Sequence, residues 1–228
     1  MDHAVTAHPG QTLFLCIAIA LSAVATVVAT ERGWKRGVYV FKPLTTLLIV
    51  ALALRQDAII SGYRTLIVAG LVFSLAGDVL LMLPRDRFVA GLVAFLAAHL
   101  LYIAAFADLG FGATWWIILP LAVYAAVLLR VLLPHVGRAL KVPVIVYSAA
   151  LLVMAWQAAE RAATAHRIGA IAPFLATSGA LATAGAVLFV ASDSALAVNR
   201  FVRQFRGADA VVLATYFAAQ TLIALSIR

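Results

Sequence analysis

The chain alternates between long, nearly uncharged apolar runs and short polar clusters. A helix needs about 20 mostly apolar residues to cross a bilayer's hydrocarbon core. Eight runs approach that length, at about residues 12–30, 38–54, 65–84, 88–107, 114–133, 142–159, 173–198 and 209–227. The second and sixth are the shortest. The connections, such as Glu31-Arg32-Gly33-Trp34-Lys35-Arg36 and Pro84-Arg85-Asp86-Arg87, are too short to separate domains. The pattern predicts an all-α, eight-helix membrane bundle with residues 1–228 as one integral membrane domain. Met1 to Gln11 contains no Lys or Arg, so the first run lacks the charged start of a signal peptide and is expected to be a retained span.

Composition narrows the class. Of 228 residues, 65% are apolar and 11% charged, with a mean hydropathy of +1.08, whereas soluble chains carry about 25% charged residues. Disorder, a disulfide scaffold and a water-soluble enzyme are excluded. The single cysteine, Cys16, lies within an apolar run and has no partner for an intrachain disulfide. A net charge of +8 would suggest nucleic acid in a soluble protein, but here it sorts by side. Twelve Lys/Arg fall in or beside the loops after the first, third, fifth and seventh spans, and five on the opposite side. The positive-inside rule then predicts both termini outside the cytoplasm, in a bacterial inner membrane, and no nucleic-acid partner is expected.

The halves share patterns. Gly77-Asp78-Val79-Leu80 in the third span is echoed by Ser192-Asp193-Ser194-Ala195-Leu196 in the seventh, and Ala98-His99-Leu100 in the fourth by Ala219-Gln220-Thr221 in the eighth. Lys42-Pro43 and Lys141-Val142-Pro143 head the second and sixth spans. These echoes suggest a 4+4 parallel pseudo-repeat about an axis along the membrane normal.

Ionisable side chains inside spans are costly, and each raises the question of function. Asp57, Asp108, Glu160 and Asp209 fall at span ends, where solvation or snorkelling is expected. Trp34, Trp115, Trp116 and Trp156 are expected in interfacial aromatic belts. Asp78 and Asp193 lie within spans, at matching depth on different helices. Lys42, Thr45 and Thr46 form a polar stripe on the second span. His99 and Tyr102, at i,i+3, share a face of the fourth, and Tyr216 and Gln220, at i,i+4, share one of the eighth. With Tyr147 and Ser192 they are expected to face one cavity on the basic-loop side. For Tyr102, Tyr147, Thr45 and Ser192, hydrogen bonding between helices is an equal alternative. Two carboxyls sharing a poorly hydrated site can hold one proton between them, supplying a general acid beside an anion. His99 is the only histidine within a span and no ligand spacing occurs, so no metal is expected. Neither a G-x-S-x-G elbow nor a P-loop occurs, and no organic cofactor is implied.

At these residues the sequence resembles the YhhN family of membrane proteins, which includes the lysoplasmalogenases. The resemblance lies in Lys42-Pro43 with Thr45-Thr46, Gly77-Asp78-Val79-Leu80-Leu81, His99-x-x-Tyr102, Pro143 to Ser148, Ser192-Asp193-x-x-Leu196-Ala197 with Phe201, and Tyr216-x-x-Ala219-Gln220. It implies eight membrane helices and hydrolysis of the vinyl ether of a lysophospholipid, giving a fatty aldehyde and a glycerophospho-amine. It also implies Asp78 and Asp193 as the catalytic pair. His99, Tyr102, Tyr216 and Gln220 would orient water and substrate, and Lys42 would pair with the phosphate. Substrate and bilayer lipids are the partners implied. An intramembrane Asp pair also suits the alternative of a proton-coupled transporter or lipid translocator.

Overall fold

A computed structural model describes residues 9–57, 61–84, 87–168 and 173–227. Among them the chain is helical, without strands, and eight helices are long and apolar enough to span a membrane. They are α1 (Pro9–Glu31), α2 (Lys35–Arg55), α3 (Ser61–Met82), α4 (Phe88–Phe106), α5 (Trp115–Leu132), α6 (Arg138–Arg167), α7 (Pro173–Ala197) and α8 (Ala208–Leu225). A 3-10 turn, Ala107–Leu109, follows α4, and a π-helical segment, Val198–Val202, extends α7. The eight expected spans are all present.

Within α1–α4 and within α5–α8 successive helices pack as hairpins, whereas α4 packs on α6 rather than on α5. Gly33 (φ 66) makes the first possible: it takes the left-handed position after α1, and Trp34 N–H donates back to the Ala29 carbonyl at 2.8 Å. Lipid offers little hydrophobic drive between helices, so close approach depends on small residues. At Gly77 a Cβ would lie 2.6 Å from the Phe95 ring, and at Gly185 one would lie 2.8 Å from the Ala219 carbonyl. These glycines let α3 close on α4 and α7 on α8. The halves differ at their first helices. α1 is seated against α2 and α8, whereas α5 rests on α6 and the π segment and buries only Leu132 fully. Outward-facing apolar side chains such as Phe14, Leu21, Val127 and Val142 present the lipid surface.

The sixth helix corrects the sequence reading. Expected as one of the shortest, at 142–159, it is the longest, with 30 residues. Glu160 and Arg161 fall beyond the expected end of the span, yet both are buried, as is Gln157 within it. Arg161 grips Asp108 with two nitrogens at 2.8 and 3.1 Å, donates to Ser178 Oγ at 2.9 Å and stacks on Tyr63, 4.4 Å from its ring centroid. Glu160 accepts from Thr114 Oγ1 at 2.8 Å, the Thr114 backbone N–H and Trp156 Nε1 at 3.1 Å. Asp108 and Glu160 are therefore parts of a buried polar network rather than solvated interface groups, and Trp156 serves it too. Asp57 and Asp209 are exposed as expected, as are Trp34, Trp115 and Trp116. Tyr63 OH bonds Ser226 Oγ at 2.7 Å, tying α3 to α8 in the same layer. The network closes the end of the bundle opposite the basic loops.

That closure is expected to carry stability. Asp108→Ala strands the buried Arg161 guanidinium and should cost about 3–5 kcal/mol. The detergent-solubilised protein should melt markedly lower, and adding Arg161→Met should restore part of the loss. A single variant that melts like the wild type would show the pair to be dispensable.

Candidate active site

The basic-loop end carries the site. Lys42 and Thr46, one turn apart, share a face of α2 and both reach Asp78 on α3. Lys42 Nζ lies 3.2 Å from Asp78 Oδ1, while Thr46 Oγ1 and Tyr216 OH each donate to Oδ2 at 2.7 Å. Asp78 is only 1% exposed. All three partners are donors, the complement that an acceptor-only carboxylate requires.

Asp193 sits differently. It lies one turn before the end of α7, as Asp78 does before the end of α3. Its hydrogen-bond partner among the described residues is Tyr147 OH, which donates to Oδ2. It is half-buried, and its access is from an internal cavity that both aspartates line. About 860 Å³ of empty space lies in the cavity and its open mouth together. Besides the aspartates, Lys42, Arg200, Tyr147, Tyr216 and three serines, its wall is apolar, with Phe88, Leu92, Phe95, Leu128, Leu132 and Leu151 prominent. Such a wall suits a hydrocarbon chain.

Several expected residues take other places. Thr45 turns toward α1, with Ser22 Oγ at 2.8 Å and the Phe41 carbonyl at 2.7 Å. Thr46 supplies the α2 hydroxyl at the site instead. Ser192 lines the cavity, but its hydroxyl donates to the Val212 carbonyl at 3.0 Å and joins α7 to α8. Lys42 is engaged with Asp78 rather than held for a phosphate.

His99, Tyr102 and Gln220 do not line the cavity; they form a buried layer one turn deeper. Tyr102 OH donates to Gln220 Oε1 at 2.8 Å. The His99 ring stands edge-on to Tyr147 and Phe189, at centroid distances of 5.1 and 4.8 Å. Neither His99 nitrogen has a hydrogen-bond partner among the described residues. His99 thus backs Tyr147, which in turn holds Asp193.

Sequence reasoning missed Phe88, Phe95 and Arg200 as lining residues. Arg200 follows Asp193 by two helical turns, a spacing that keeps both toward one face.

A model of the YhhN family matches residues 37–227, a stretch that contains every residue of this site. The chain belongs to the YhhN family. The membrane protein YhhN of Escherichia coli O157:H7 is 36% identical over 219 residues, covering 94% of this chain and 99% of the relative. Human lysoplasmalogenase TMEM86B is 36% identical over 167 residues, 72% of this chain and 64% of the relative. Bovine lysoplasmalogenase TMEM86A is 32% identical over 163 residues, 71% of this chain and 65% of the relative. The chain thus spans just under two thirds of the length of these two lysoplasmalogenases. No solved structure matches it. The membrane relatives and the eight apolar helices make this a multi-pass membrane protein.

Proposed function

We propose that this protein is a membrane hydrolase that cleaves the vinyl ether bond of lysoplasmalogen-type lysophospholipids. The observation that carries the reading is the opening of Asp78 and Asp193, from separate helices, onto one largely apolar cavity. The relatives named lysoplasmalogenase support it.

The two carboxyls differ in the way the chemistry needs. Asp78, surrounded by the donors Lys42, Thr46 and Tyr216, takes the part of the anion. Asp193, with one neutral donor and a face on the cavity, is the acid. Its proton passes to the β-carbon of the vinyl ether, and the double bond's electrons leave an oxocarbenium ion on the ether side. Asp78 stabilises that cation electrostatically, the role an anion plays beside the similar cation in glycosidases. Water adds to the cationic carbon and returns a proton to Asp193. The resulting hemiacetal collapses to a fatty aldehyde and a glycerophospho-amine. Atoms and charge balance with one water consumed.

The closed far end favours hydrolysis over transport. The cavity's lining comes from the basic-loop end, while the Arg161–Asp108 network fills the other. Purified protein incubated with lysoplasmalogens, lysophospholipids and diacyl lipids should release aldehyde from the first class alone, read by mass spectrometry. Movement of lipid across reconstituted vesicles without cleavage would overturn the reading in favour of a translocator.

The basic-loop asymmetry supports a bacterial inner membrane with the cavity mouth on the cytoplasmic leaflet. In a Cys16→Ala background, Gly137→Cys should react with an impermeant maleimide in inverted vesicles and not in intact spheroplasts. The reverse labelling would invert the topology.

A further inference from the structure

Among the described residues, the hydroxyls lining the cavity are those of Tyr147, Ser148, Ser192, Ser194 and Tyr216. Most of them already give their hydrogen to the protein. Tyr147 donates to Asp193, and Tyr216 donates to Asp78. Ser192 donates to the Val212 carbonyl at 3.0 Å. Ser194 donates to the Val190 carbonyl at 2.6 Å, which leaves its oxygen to accept from Tyr124 OH. Ser148 differs. It is only 7% exposed, and its hydroxyl has no hydrogen-bond partner among the described residues. A helical hydroxyl commonly turns back to the carbonyl four residues earlier, as those of Thr26, Thr45 and Ser194 do in this chain. Ser148 makes no such bond and borders the cavity instead.

We infer that Ser148 is a specificity residue: it hydrogen-bonds the free 2-hydroxyl of the glycerol in a single-chain phospholipid while the vinyl ether lies at Asp193. The inference rests on the proposed hydrolase reading for the identity of the lipid.

The chemistry of the lipid selects that oxygen. A lysoplasmalogen carries an ether oxygen, a 2-hydroxyl and the phosphate oxygens. The ether oxygen takes on positive charge when the β-carbon is protonated, so a donor bound to it would oppose the reaction. The phosphate oxygens are anionic, whereas Ser148 stands between Val144 and Leu151, which share its face of α6 and line the same cavity. A neutral hydroxyl that can donate or accept is the group a lone serine in an apolar wall complements.

Spacing agrees. The β-carbon and the 2-hydroxyl oxygen are five bonds apart, about 6 Å when extended. Ser148 directly follows Tyr147, with Cα atoms about 3.8 Å apart. Tyr147 extends a ring's length from α6 to meet Asp193, while a serine oxygen stays close to its own backbone. The five-bond segment spans the step from the Asp193 carboxyl back to the α6 wall at Ser148. A lipid filling the cavity excludes water from that wall. One that carries the 2-hydroxyl gives Ser148 a partner, and one that lacks it leaves the serine buried and unpaired.

The test compares 1-alkenyl-glycerophosphoethanolamine with its 2-deoxy analogue, which has hydrogen in place of the 2-hydroxyl. Wild type should favour the hydroxyl lipid in kcat/KM. In Ser148→Ala that preference should shrink by roughly 5- to 100-fold, mainly through KM for the hydroxyl lipid. Ser148→Thr keeps a hydroxyl and should retain part of the preference. No protein partner is lost in Ser148→Ala, so it should melt at or above wild type. A wild type that treats both lipids alike would overturn the inference. So would equal slowing of Ser148→Ala on both lipids, which would assign Ser148 to the hydrolytic water. A markedly lower melting temperature would make the hydroxyl structural and overturn it too.

A binding arm separates the subsite from the reaction. By native mass spectrometry, acyl lysophosphatidylethanolamine should bind wild type better than its 2-deoxy analogue does, and Ser148→Ala should not distinguish the two. That result without vinyl ether cleavage would sink the hydrolase reading and leave the hydroxyl subsite standing. Cleavage with the preference unchanged in Ser148→Ala would do the reverse.

Discussion

Asp193→Asn is expected to lower kcat for aldehyde release by about 10²- to 10⁴-fold, the contribution of a positioned general acid. The amide matches the carboxyl in shape and keeps an oxygen to accept the Tyr147 hydroxyl. The variant should therefore fold, melt near the wild type and still bind lipid. What it loses is the carboxylic proton that must reach carbon before the ether can break. Tyr147 and the other hydroxyls nearby are too weakly acidic to replace it. Aldehyde release followed by mass spectrometry, with the melting temperature measured alongside, checks the prediction. A fall of less than about tenfold would mean that the proton comes from elsewhere.

Asp78→Asn should have two effects that can be separated. Activity should fall by a comparable factor, because the anion facing the oxocarbenium ion is gone. Stability should fall as well, because Lys42 loses its counter-charge. Breaking a buried ion pair by removing one member costs about 3–5 kcal/mol, and the 14% exposure of the Lys42 side chain places this case toward the low end. Adding Lys42→Met to Asp78→Asn removes the stranded charge and should recover much of the melting temperature without recovering aldehyde release. A double variant that regains activity would assign Asp78 a structural role only. The two aspartates thus predict different signatures: loss of chemistry alone at Asp193, and loss of chemistry with stability at Asp78.

Much of this was legible in the sequence, and the failures have a common cause. Apolar runs separated by basic clusters reveal membrane spans because the bilayer imposes a minimum length and excludes charge. For the same reason Asp78 and Asp193 stand out, and the structure places both on one cavity. The reading failed where polar residues are buried among themselves. Glu160 and Arg161 looked like the end of a helix, yet Thr114, Trp156, Asp108 and Ser178 satisfy them inside the bundle. Nothing in linear order shows that Asp108, 53 residues before Arg161, will meet it. Thr45 and Thr46 are neighbours of the same type, and only the packing of α1 and α3 on either side of α2 decides which reaches Asp78. Arg200 was read as one of many loop cations because the π-helical extension of α7 that brings it to the cavity has no sequence signal of its own.

The central claim is that a carboxyl in this cavity delivers a proton to the carbon of a vinyl ether. The most direct test is cleavage of a lysoplasmalogen by the purified protein in deuterium oxide, with the aldehyde trapped by borohydride as it forms and examined by mass spectrometry. Unlabelled aldehyde added to the same mixture measures any exchange that occurs without the enzyme. The account predicts a fatty alcohol carrying one solvent-derived deuterium on the carbon next to the former carbonyl, formed by the wild type and not by Asp193→Asn. Absence of aldehyde, or an aldehyde whose adjacent carbon has gained no deuterium, would contradict it.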